Sequence, residues 1–127
     1  MKKLISIFLL SLLLMACSPS DNTAINQLSP IESAGLQSND FAVIIDVRSN
    51  NEWKNQRIPG AIHIPLGDLK DRMGELKSFE GKQLIMQCAV GGRSSKAVEI
   101  LQEAGFSNVS NMNGGLVAWQ RANLPVE

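Results

Sequence analysis

A chain of 127 residues with 12 Lys or Arg and 12 Asp or Glu carries no formal net charge. Its length fits one domain of the usual size, about 100–150 residues. An apolar fraction of 44% belongs to a globular protein, since disordered chains hold too little apolar surface to fold. Neutrality argues against a nucleic-acid partner; two cysteines and one histidine, His63, leave no four-cysteine zinc site and no His-rich metal cluster. No metal and no cofactor are expected.

The first segment is read as an address. Lys2 and Lys3 precede an apolar run of 13 residues from Leu4 to Ala16, short of the roughly 20 needed to span a bilayer as a helix. Such a run fits the apolar region of a secretory signal peptide. It ends in Leu14-Met15-Ala16-Cys17, which resembles a bacterial lipobox, in which cleavage before the Cys leaves its sulfur carrying diacylglycerol. The plainer alternative is an ordinary signal peptide with a chance Cys at its end. The expected division is a lipoprotein signal at 1–16, a lipid-anchored Cys17 with a polar tether at 17–27, and a folded domain at 28–127. The expected location is the bacterial cell envelope, on the periplasmic or extracytoplasmic face. Ser18 rather than Asp after the Cys favours the outer membrane where a cell has one. Cleavage there leaves 111 residues with 10 basic and 12 acidic side chains. With Cys17 acylated, Cys88 is the only free thiol, and a lone thiol outside the cytoplasm is either reactive or simply a small buried apolar group.

Ser29-Pro30-Ile31-Glu32 has the form of a capping box with Pro at the first helical position, predicting a short helix to about Leu36. Phe41 to Val47 is a continuous apolar run rich in β-branched residues, the pattern of a parallel strand buried on both faces. Asn50 to Gln56 fits two helical turns. Ile58 to Pro65 is a turn, a short strand and a stop between prolines. Asp68 to Phe79 is helical, interrupted at Gly74. Leu84 to Cys88 is a second buried strand, followed by a loop from Ala89 to Arg93, with Ser94 as N-cap of a helix from Lys96 to Ala104 ended by Gly105. Val109 marks a last strand, and Gly115 to Asn123 a last helix. Alternation of strands and helices predicts an α/β fold with a mostly parallel sheet.

Cys88 therefore ends a buried strand just before a helix N-terminus, where open α/β sheets bind their ligands. Inward N–H groups of such a loop and the positive end of the helix dipole both favour thiolate over thiol. Gly91 and Gly92 allow a tight curl, and Arg93 supplies a fixed charge for an oxyanion. No general base accompanies the thiol. His63, between Ile62 and Ile64, reads as a structural strand or turn position, and Trp53 and Trp119 as packing residues. Chemistry that needs a thiolate without a proton shuttle fits best.

Cys88-Ala89-Val90-Gly91-Gly92-Arg93-Ser94 resembles the Cys-x-x-Gly-x-Arg-Ser loop of rhodanese-like sulfurtransferases. Asp46-Val47-Arg48 with Glu52-Trp53, the segment Ile58 to Pro65, and Gly114-Gly115 with Trp119 and Leu124-Pro125 resemble further motifs of the family in the same order. The resemblance runs from about Leu28 onward and implies a three-layer sandwich: a sheet of about five strands with helices on both faces. It implies that Cys88 takes the outer sulfur of thiosulfate or a related donor, with sulfite leaving. Ala89, Val90, Gly91, Gly92 and Ser94 would cradle the persulfide, Arg93 would steer the anion, and cyanide or a thiol would accept the sulfur. Asp46, Arg48 and Glu52 are expected as structural support, with Arg48 and Glu52 placed to pair if the intervening turn is helical. Four residues separate Cys88 from Arg93, whereas related Cys-dependent phosphatases carry five. Gln56-Arg57 stands where the family usually has Gly-His, and Val90 where a small or polar residue is commoner. A non-catalytic or sulfur-presenting binding module and a thiol-redox protein are the alternatives; the lack of a resolving Cys weighs against the latter.

Overall fold

The apolar runs around Ile44 and Ile85 are uninterrupted because both faces of their strands are covered. In the computed structural model, which describes residues 24–127, they are β2 (Ala42–Asp46) and β4 (Gln83–Gln87), the neighbours at the heart of the sheet. Five strands lie in the order β1 (Gln27–Leu28), β5 (Val109–Met112), β4, β2, β3 (Ile62–His63), and every pairing is parallel. The sheet is thus wholly parallel, and its carboxyl ends form a single rim.

Alternation along the strands sorts the core into two layers. Ile45, Met86 and Val109 pack with Leu69, Leu76, Ala97, Val98 and Leu101 beneath α4 (Gly92–Glu103) and the short α3 (Met73–Leu76). Ile44, Ile85 and Met112 pack with Leu116 and Trp119 of α5 (Gly115–Arg121) and with Ala34 and Leu36 of α1 (Pro30–Ser38). Burial of each large side chain contributes about 1.5–3 kcal/mol. Helices therefore cover both faces, as the resemblance implies.

The capping box at Ser29 and Glu32 is formed in both directions, at 3.1 and 2.8 Å. A second box, Ser49 with Glu52, opens α2 (Asn50–Asn55). Three expectations need correction. Asp68 to Phe79 is not one helix broken at Gly74; Gly74 lies inside α3, and 3₁₀ turns at Leu66–Asp68 and Lys77–Phe79 flank it. The fold begins before residue 28: Ile25 packs on the core and Gln27 pairs with Asn111, because the sheet edge at β5 takes a two-residue strand. Ser94 is not an N-cap; α4 starts at Gly92 behind Gly91, whose φ of +109° is left-handed. The signal at 1–16, Cys17 and the tether up to residue 23 lie outside the described residues. No helix among the described residues is long and apolar enough to cross a membrane.

Candidate active site

β4 delivers Cys88 to the carboxyl rim at the centre of the sheet, between β5 and β2. The chain then turns back within three residues into α4, and the left-handed Gly91 makes that reversal possible at little cost. The result is a loop folded around the sulfur. Gly91 N–H donates to Cys88 Sγ at 3.0 Å, and Ser94 Oγ donates to it at 3.3 Å. The side chain of Cys88 is buried. Burial alone pushes a thiol up, but here the Ser94 hydroxyl and the backbone N–H groups of Ser94, Gly91 and Val90 outweigh it and hold the thiol below its ordinary value. Loss of the N-cap role gives Ser94 this second function: one turn into α4, it is buried and faces the sulfur.

The loop is held from its outer side by α5. Leu116 N–H donates to the Cys88 carbonyl at 2.8 Å and Val117 N–H to the Ala89 carbonyl at 3.1 Å. Gln87 Nε2, itself buried, adds a bond to the Cys88 carbonyl at 2.9 Å. Such close approach requires Gly115: its φ is +59°, and a Cβ there would lie 2.5 Å from the Cys88 carbonyl oxygen. With these carbonyls engaged by α5, the loop's N–H groups are the polar atoms left to face the sulfur.

Arg93 sits on the rim, and its guanidinium grips Glu52 of α2 with two bonds of 2.6 and 2.9 Å. That fork holds the Glu52 carboxyl down at about 2, against the opposing effect of desolvation and with help from Ser49. The expected pairing of Arg48 with Glu52 does not occur. Arg48 turns instead into the protein, where it bonds Asp46 at 2.7 Å and the Gln56 carbonyl at 2.7 Å. The reason is burial: Asp46 is fully enclosed at the end of β2, and a buried carboxylate needs a charged partner. Two separate ion pairs result, one under the loop and one across its edge.

His63 is structural, as its surroundings in the sequence imply. Its Nε2 lies 2.8 Å from the Arg48 carbonyl, and its ring stacks on Trp53 at 4.8 Å. Trp53 is half-buried rather than a core residue, with Arg57 over its other side at 5.1 Å. Trp119 is in the core, and its indole N–H reaches the Pro125 carbonyl at 2.8 Å. Sequence reasoning missed the Glu52–Arg93 pair and the part of Gln87. The Ser49-Asn50-Asn51-Glu52 spacing was a readable sign of the cap, but nothing local signals a contact 41 residues away.

Among the described residues no cluster of His, Cys, Asp or Glu could hold a metal ion. The arrangement offers one thiolate-favouring sulfur, N–H donors around it and an ion-paired arginine at its edge. That set suits attack by a thiolate on an anionic species better than a reaction needing a proton shuttle.

Comparison with known proteins agrees with this geometry. Residues 29–122 match the Rhodanese-like domain family. A sulfurtransferase of Allochromatium vinosum is 30% identical over 94 residues, covering 74% of this chain and 86% of that protein. An uncharacterized protein of Synechocystis is 32% identical over 111 residues, and there the chain spans only 59% of the relative's length. The solved structure of a thiosulfate sulfurtransferase from Pseudomonas aeruginosa superposes with a TM-score of 0.75 at 30% identity, covering 81% of this chain and 20% of that one. With three quarters of its length matched and its site on the carboxyl rim of the same sheet, this chain belongs to the rhodanese-like family.

Proposed function

We propose that the protein is a thiosulfate sulfurtransferase working through a persulfide on Cys88, tethered in the bacterial envelope by lipid on Cys17. One observation carries the catalytic reading: the sulfur of Cys88 accepts hydrogen bonds from Gly91 N–H and Ser94 Oγ at the foot of α4. The thiolate attacks the outer sulfur of thiosulfate; the S–S bond breaks, and sulfite leaves with its electron pair. The persulfide's terminal sulfur carries the negative charge and lies among the loop N–H groups of Ala89 to Ser94. Cyanide or a thiolate then attacks that terminal sulfur, forming thiocyanate or a new persulfide and returning Cys88 as thiolate. No proton shuttle or external oxidant enters the balance.

Arg93 contributes charge at the rim while Glu52 fixes its position, so its role is steering. Asp46 and Arg48 support the loop from below. Cys88 is buried, and that burial shields the persulfide from stray thiols. The lipid anchor is supported by the spacing of Leu14, Ala16 and Cys17 after an apolar run.

The test is thiocyanate formation from thiosulfate and cyanide, with mass spectrometry of the protein after thiosulfate alone. Turnover with a gain of about 32 Da on Cys88, reversed by cyanide, is expected. Cys88→Ser is expected to abolish both signals while leaving the unfolding temperature close to that of the parent. Persistent turnover in that variant would falsify the persulfide mechanism. A persulfide that forms without turnover would replace the enzyme by a sulfur-presenting module.

A further inference from the structure

We propose that the amino end of the sheet is the face this protein turns to the lipid bilayer, with Cys88 held on the side away from it. The proposal rests on the lipid-anchor reading of Cys17, and topology and chain length carry it from there.

In a wholly parallel sheet all strands start at one end, and Cys88 lies at the other. The chain enters through β1, paired at Gln27 with Asn111 and tied at the preceding residue by the Asn26 carbonyl to Asn111 N–H at 2.8 Å. Carried back, that register sets Ala24 beside Asn108, at the amino end. From Cys17 to Ala24 there are seven residues, which reach at most about 25 Å when fully extended. A compact domain of residues 24–127 has a radius of gyration of about 13 Å, hence a diameter of about 33 Å. Turning the carboxyl rim to the bilayer would need the tether to double back along the edge strand almost fully extended, whereas the amino end meets the bilayer with the tether slack.

The face so placed has the chemistry of a bilayer interface. Every Phe among the described residues lies there: Phe41, which is 65% exposed, and the half-buried Phe79 and Phe106. Phe79 and Phe106, with Leu76, Leu84, Lys82 and Asn108, line a cleft of about 280 Å³ at the point where the chain enters. Lys77 and Lys82 are set against Asp40 and Glu80, and Lys82 bonds Asp40 at 2.6 Å. A face of exposed ring, apolar cleft and balanced charge fits the zwitterionic headgroup and upper acyl region of a membrane, with little dependence on salt.

The test uses the full lipidated chain carrying Cys88→Ser, with Phe41→Cys, Val90→Cys or Ile31→Cys labelled by a nitrobenzoxadiazole dye. Each variant is placed in phosphatidylcholine vesicles containing nitroxide-labelled lipid. Ile31 and Val90 are each 68% exposed, and both lie toward the carboxyl rim, so all three labels replace side chains outside the core. Severalfold stronger quenching at position 41 than at 31 or 90, unchanged by added salt, is the expected result. Equal quenching at all three, stronger quenching at 90, or no quenching at any position on a lipidated, vesicle-bound chain overturns the orientation and leaves the anchor standing. An unmodified Cys17 on a chain that does not bind vesicles overturns both. Neither result bears on the sulfur chemistry, which is measured separately.

Discussion

The four longer helices among the described residues begin in two ways. α1 and α2 each start with a serine and a glutamate three positions on, closing a capping box in which side chains satisfy the first N–H groups. α4 and α5 each start behind a left-handed glycine, Gly91 and Gly114, with no side-chain cap. Their first N–H groups have other uses: those entering α4 face the sulfur, and those of α5 grip the carbonyls of Cys88 and Ala89. Where a helix is only a structural part, its start is sealed by its own sequence. Where it builds the site, its start is left open and the partner comes from elsewhere in the fold.

The largest effect should come from closing the gap at α5. Gly115→Ala places a Cβ against the loop backbone in a left-handed conformation, and a cost of about 3 kcal/mol or more is expected, lowering the unfolding temperature by at least about 12 °C. Calorimetry should show that loss, and sulfur transfer should fall with it, because the Cys88 carbonyl loses its clamp. An alanine variant with parental stability would mean that α5 does not dock as described.

A change at a sealed start should do the reverse. Ser29→Ala removes the cap of α1 and should lower stability by about 1 kcal/mol in urea unfolding, with the rate per folded molecule unchanged. A fall in that rate would blur the division between the two kinds of helix.

Ser94→Ala tests the open start of α4. Losing the hydroxyl donor to Cys88 Sγ removes an interaction that favours the thiolate. The thiol pKa should therefore rise, and iodoacetamide alkylation followed against pH should shift to the alkaline side. A profile identical to the parent would assign the lowered thiol to the backbone alone.

The smallest effect is expected at the rim. Glu52 is depressed to about 2 by Arg93, so the pair contributes its stability above the ordinary carboxylate range and loses it as pH falls from about 4.5 toward about 2. Both side chains are more than a third exposed, and solvent reduces such a pair to about 1 kcal/mol or less. Glu52→Gln should flatten that acid limb of the stability curve and alter KM for thiosulfate more than kcat, since it frees Arg93. A large fall in kcat with KM unchanged would give Arg93 a part in the chemical step instead.

The same contrast explains what could be read in advance. Buried strands at β2 and β4, the box at Ser29 and the loop around Cys88 are local patterns, each written within a few consecutive residues. β1 is only two residues long and polar at Gln27, so no periodicity marks it; it exists because β5 offers an unpaired edge. Arg48 had two acidic neighbours within reach along the chain, and the choice of Asp46 over Glu52 was made by burial, a property of the assembled fold. Ser94 has the chemistry of a cap but sits inside the helix, because Gly91 ends the loop sooner than hydroxyl preference suggests.

The clamp of α5 on the loop also sets an order of events in the life of the chain. Synthesis proceeds from the N-terminus, so Cys88 is made before the residues at 115–117 that fix its carbonyl, and β1 is made long before β5, its partner in the sheet. A pairing between Gln27 and Asn111 is among the most distant contacts a chain of this length can form, and distant contacts form late. The donors to the sulfur, by contrast, come from Gly91 and Ser94, within six residues of it, and α5 only fixes the carbonyls of the loop behind them. The loop that holds the sulfur is thus local in sequence, but the clamp on its carbonyls waits for the C-terminal part of the chain.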